Sequence, residues 1–83
     1  MADPQVFLSN KQLMRLSKRE SEVLYLIAQE FSNKEMSKML FLSVNTIDTY
    51  RRKLFLKFGV RNAPGLIRKA YEEKVLPMKR PDF

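Results

Sequence analysis

Eighty-three residues suffice for one domain with a thin core, and a hydrophobic fraction of 45% is ordinary for a globular chain. Without cysteine or histidine, disulfides, thiolate metal sites and the commonest general base are excluded, and no carboxylate pair offers acid–base chemistry. Sixteen Lys and Arg against nine Asp and Glu leave a formal charge of +7, which suits a polyanionic partner.

No catalytic residue, metal or cofactor is therefore expected. No apolar run approaches the roughly 20 residues of a membrane span. The start, Met1-Ala2-Asp3-Pro4, carries neither the basic nor the apolar region of a signal peptide. The expected compartment is the cytoplasm, with no membrane contact and no small-molecule ligand.

In chain order, residues 1–15 are weakly patterned and read as an arm or linker, and a folded domain is expected over residues 16–76. Ser17-Lys18-Arg19-Glu20 fits a capping box, in which the serine oxygen and the glutamate carboxylate satisfy orphan N–H groups reciprocally. Val23, Leu24, Ile27 and Phe31 follow at helical spacing and predict a helix from Lys18 to Glu30. A second capping box, Ser32-Asn33-Lys34-Glu35, opens a short helix with Met36, Met39 and Leu40 inward, ending near Phe41. Leu42-Ser43-Val44 makes a turn, and Ser43 is the natural N-cap of a third helix bearing Ile47, Tyr50, Leu54 and Phe58 on one stripe.

Gly59 supplies a left-handed stop to that third helix. Asn62 caps a fourth, Pro64 is tolerated in its first turn, and Leu66, Ile67, Ala70 and Tyr71 line it as far as Pro77. Residues 77–83 have two prolines and no periodicity, so a loose tail is expected. The predicted fold is all-α, a four-helix bundle.

A short helix, a three-residue turn and a longer helix between Asn33 and Arg52 have the proportions of a helix-turn-helix. Met36 and Leu40 would meet Ile47 across it, with Ser37 small enough to let the two helices approach. A plain three- or four-helix bundle has the same helix count, and the charge pattern weighs against it while leaving open a basic surface that serves solubility. Between Thr49 and Tyr71 lie Arg51, Arg52, Lys53, Lys57, Arg61, Arg68 and Lys69 without one acid, the footprint of a phosphate-neutralising surface. At about 100° of rotation per residue, the face opposite the core stripe of the third helix carries Asp48, Thr49, Arg52, Lys53 and Leu56. Arg52 suits a bidentate pair with guanine, Thr49 a thymine methyl and Lys53 a phosphate. Leu56 reads as an isolated exposed apolar residue, of a kind common on any surface.

Four runs in this order carry a family resemblance: Leu16-Ser17-Lys18-Arg19-Glu20-Ser21-Glu22-Val23-Leu24, Ser32-Asn33-Lys34-Glu35-Met36, Ser43-Val44-Asn45-Thr46-Ile47-Asp48-Thr49-Tyr50 and Lys57-Phe58-Gly59-Val60-Arg61-Asn62. Together they closely resemble the LuxR/NarL/FixJ-type (GerE-like) DNA-binding domain, over about Leu16 to Leu76. The resemblance implies a four-helix fold with a central helix-turn-helix and no wing. It also implies a transcription regulator that binds double-stranded DNA as a homodimer on a two-fold site, with RNA polymerase as a further partner. Asp48, Thr49 and Arg52 would then face the major groove, and Asn33, Lys34, Thr46 and Lys57 would lie at the DNA backbone. The fourth helix would make the dimer contact, through Ala63, Ile67 and Ala70. Such domains are usually joined to a phosphorylatable receiver or a small-molecule sensor. The chain then reads as a fragment or as a stand-alone member, and residues 1–15, which look like the end of a linker, favour the fragment, the output part of a two-component response regulator.

Two positions depart from the family pattern. Asp48 stands where a basic or polar residue is common. It could accept from cytosine N4, reject wrong sites by repulsion, or pair with Arg52 four residues on; the spacing favours the pair. Tyr50 stands where histidine is common, and keeps an apolar body for the helix contact with an O–H for a nearby phosphate. Two rivals remain at this level. The helix-turn-helix of sigma factors shares the stretch around Ser32 to Ile47 but lacks the Lys57-to-Asn62 ending and the capped fourth helix. A protein-interaction or adaptor module would dock on an acidic partner and ignore duplex DNA.

Overall fold

The computed structural model describes residues 16–83, so the arm or linker expected over 1–15 lies outside the described residues. Four helices form among them: α1 Lys18–Ala28, α2 Asn33–Leu40, α3 Val44–Phe58 and α4 Ala63–Glu72, with no strand. Each starts where a side chain takes over orphan backbone donors. Ser17 Oγ accepts from the Glu20 N–H at 3.0 Å and Ser32 Oγ from the Glu35 N–H at 3.1 Å. The two glutamates in turn accept from the N–H groups of Ser17 and Ser32, at 2.9 and 2.8 Å, completing both capping boxes. Ser43 Oγ accepts from the Thr46 N–H at 3.0 Å, and Asn62 Oδ1 from the Gly65 N–H at 2.8 Å.

The opposite ends share one geometry. Phe31, Leu42, Val60 and Val75 each donate to the carbonyl five residues back, at 2.9 to 3.1 Å. The residue before each is left-handed: Glu30 at φ 67°, Phe41 at 57°, Gly59 at 68° and Lys74 at 62°. This is the Schellman closure, and only one of the four uses glycine. It stops α1 at Ala28, short of the predicted Glu30, and α4 at Glu72, well short of Pro77.

Helix α3 is the central element, packing against α1, α2 and α4, while α1 also meets α4. Val23, Leu24 and Leu26 of α1, Met36 of α2, Ile47, Leu54 and Phe58 of α3 and Leu66 and Ala70 of α4 are at most 1% exposed. Burying each of the larger ones contributes about 1.5–3 kcal/mol relative to leaving it in water. Ser37 is also buried, its hydroxyl donating to the Lys34 carbonyl at 2.7 Å, as the close approach of α2 and α3 requires. Tyr71, expected inward, is 52% exposed.

The tail makes contacts of its own. Leu76 is buried and Met78 packs on the core, although residues 77–83 have no helix or strand. The Phe83 ring stands edge-on to Tyr25 of α1, with centroids 6.4 Å apart, and Arg80 lies over it at 5.0 Å. No helix among the described residues is long and apolar enough to cross a membrane.

Candidate nucleic-acid interface

The core decides which face of α3 is free. With Ile47, Leu54 and Phe58 turned inward and Tyr50 and Phe55 packed at the margins, the opposite face bears Asn45, Thr49, Arg52 and Leu56, all exposed. Asp48 lies at its edge, half-buried. The expected ion pair forms: Arg52 Nη2 lies 2.9 Å from Asp48 Oδ2, with side chains 77% and 42% exposed. A guanidinium has five N–H donors, so this one contact leaves enough of the fork for a second, bidentate acceptor.

Thr49 donates its hydroxyl to the Asn45 carbonyl at 3.1 Å, which leaves its methyl and oxygen lone pairs to present outward. Asn45 itself is absent from the sequence-derived set, which begins the face at Asp48. The signal was available in the periodicity, since Asn45 precedes Thr49 by four residues and Arg52 by seven. Its amide is the side-chain type that pairs with adenine.

Thr46, Tyr50, Lys53 and Lys57 follow one another down a single flank at helical spacing. Thr46 Oγ1 accepts from the Ser43 hydroxyl at 2.9 Å, and Lys53 Nζ sits 5.5 Å from the centroid of the half-buried Tyr50 ring. Lys57 is different. Its ammonium donates to Glu20 Oε1 at 2.9 Å, with side chains 31% and 11% exposed. The same oxygen accepts from the Ser17 N–H, so one carboxylate holds both the start of α1 and the last turn of α3. Burial alone would raise the Glu20 pKa. The hydrogen bonds from Lys57 and Ser17 and the lysine charge outweigh burial and hold it below the ordinary carboxylate value. A phosphate approaching Lys57 would therefore compete with a partner inside the chain, one that sequence spacing could not reveal.

Asn33 and Lys34 stand in the first turn of α2, the former half-buried and the latter exposed. On α4, Ala63 and Ile67 are half-buried and retain some surface. Ala70 is fully buried in the chain's own core, so its methyl has no surface to offer a second copy, contrary to expectation. The outward side of the later turns is Arg68, Tyr71 and Glu72, with Arg68 and Glu72 paired at 3.0 Å.

A capped short helix, a tight turn and a longer capped helix with an exposed arginine face are thus in place. The model of the bacterial regulatory proteins of the luxR family matches residues 14–70. The chain belongs to the luxR family of bacterial regulatory proteins. It is also 41% identical over 61 residues to the oxygen regulatory protein NreC of Staphylococcus aureus strains JH9, Mu3 / ATCC 700698 and USA300. That match covers 74% of this chain and 28% of each relative, so the chain spans less than a third of their length. No solved structure gives a significant match. Domains of the luxR family are DNA-binding regulators of transcription, not enzymes.

Proposed function

We propose that this luxR-family domain reads duplex DNA by laying α3 in the major groove, as the output domain of a response regulator in a two-component system. The observation that carries the reading is the exposed face of α3, where Arg52 is held by Asp48 beside Thr49 and Asn45. Arg52 pairs with guanine, the Thr49 methyl meets thymine and Asn45 pairs with adenine. Asp48 keeps the guanidinium in register. Asn33, Lys34, Thr46, Tyr50 and Lys53 lie along the phosphates, with Lys57 joining them to the extent that Glu20 releases it.

A second copy docks through the Ala63 and Ile67 side of α4, so that two α3 helices meet a two-fold site. RNA polymerase is the protein partner of the bound dimer, and the work is done in the cytoplasm. The test is selection of bound sequences from random duplex DNA. The expected result is a two-fold consensus with half-sites related by the helical repeat, bound with an affinity that falls steeply as salt rises. A consensus without symmetry overturns the dimer, and no complex even at low salt overturns the DNA reading in favour of an adaptor.

A further inference from the structure

Leu56 is 80% exposed, on a face of α3 that is otherwise polar. At about 100° per residue it lies directly opposite the buried stripe of Ile47, Leu54 and Phe58, in angle between Arg52 and Thr49. A rise of about 1.5 Å per residue puts it about 6 Å beyond Arg52, about two base-pair steps of roughly 3.4 Å for a helix lying along the groove. The chain around it is cationic, with seven Lys and Arg and no acid between Thr49 and Tyr71. A ligand that covers Leu56 together with this cationic face would be polyanionic and would have to offer an apolar spot. In a duplex groove that spot is the C5-methyl of thymine.

We infer that Leu56 contacts a thymine methyl next to the base pair read by Arg52, and so sets a preference for thymine there. The inference rests on the DNA-binding reading above. It changes the standing of Leu56 from incidental surface to a specificity-determining residue. The variant that tests it is Leu56→Ala, which touches no core contact and should keep its helical circular dichroism.

Sites are selected for the wild type and the variant, and each thymine of the wild-type consensus is then replaced singly by deoxyuridine. For the wild type, replacing the thymine beside the base pair read by Arg52 should weaken binding about fourfold, the worth of burying one methyl, separately from any loss at the thymine that Thr49 meets. The same replacement should leave Leu56→Ala unaffected, and the variant's own consensus should lose that thymine. If every thymine tolerates deoxyuridine in the wild type, or if the variant keeps the sensitivity, the inference is overturned while the DNA reading stands. If neither protein retains any duplex, the DNA reading fails and this inference with it.

Discussion

Helix α3 carries two ion pairs of the same length in opposite surroundings. Asp48–Arg52 spans 2.9 Å with side chains 42% and 77% exposed; Glu20–Lys57 spans 2.9 Å with 11% and 31%. Distance does not tell them apart, but water does. An exposed pair one helical turn apart contributes about 0.3–0.5 kcal/mol, so its members change partners at little cost. The sheltered pair joins two helices, and losing one member leaves the other partly shielded from water without its partner. The helix is fixed at its C-terminal end and exchangeable along its outward face, as a domain that offers a guanidinium to a new acceptor requires.

The strongest way to break this comparison is Glu20→Ala. The change removes the acceptor for both Ser17 N–H and Lys57, and should cost about 2–3 kcal/mol in urea unfolding, moderated because Lys57 can rehydrate. Arg52→Ala in the same measurement should stay within about 0.5 kcal/mol of wild type. Equal losses would mean that the two pairs do the same job.

In DNA binding the ranking should reverse. Arg52→Ala should cost about 1–3 kcal/mol on the best duplex and relax base preference at one position, whereas Lys53→Ala should weaken all sequences to a similar degree. Competition titrations against single-base variants of the site read the difference directly. Identical profiles for the two variants would remove the distinction between the outward face and the flank.

Acid offers a smaller handle on the sheltered pair. The Glu20 carboxyl titrates below its ordinary value of about 4.5 in the folded chain, so the unfolded chain binds the proton more readily. Its contribution is complete above that ordinary value and is lost as pH falls through it towards the lower folded one. Glu35, held down by its hydrogen bonds from the Ser32 N–H and hydroxyl, acts in the same direction. Urea midpoints between pH 7 and pH 3 should drop, and the drop should shrink in Glu20→Gln.

What the sequence disclosed follows the same division between local and distant. The N-terminal ends of all four helices were legible because Ser17, Ser32, Ser43 and Asn62 write the cap in side chains. Asp48–Arg52 was legible because it lies within one turn. Glu20–Lys57 joins residues 37 apart and has no local signature. Helix α4 misled for another reason: apolar residues stand on both sides of a ten-residue helix, so Tyr71, read with Ala70 as inward, is exposed, while Ala70, also expected at a dimer contact, is wholly in the core. The helix stops were the least legible. Schellman closure is made by backbone, and three of the four left-handed positions hold Glu30, Phe41 and Lys74 in place of glycine.

Phe41 turns that last point into the smallest prediction and sets a third site beside the two pairs. It sits at φ 57°, ψ 44°, a region that costs a side-chain-bearing residue about 1–2 kcal/mol, and it is 93% exposed. The ring therefore recovers almost nothing from burial. Phe41→Gly should stabilise the domain by about 0.5–1 kcal/mol, the relief of strain less the added freedom of glycine in the unfolded chain. Thermal unfolding of the two proteins at one pH measures it. A loss of stability would mean that the ring holds the turn between α2 and α3, and the turn would join Glu20–Lys57 as a second anchor of α3. The expected gain leaves Glu20–Lys57 as the sheltered anchor and makes the turn residue, like Arg52, one whose cost or value lies at the surface.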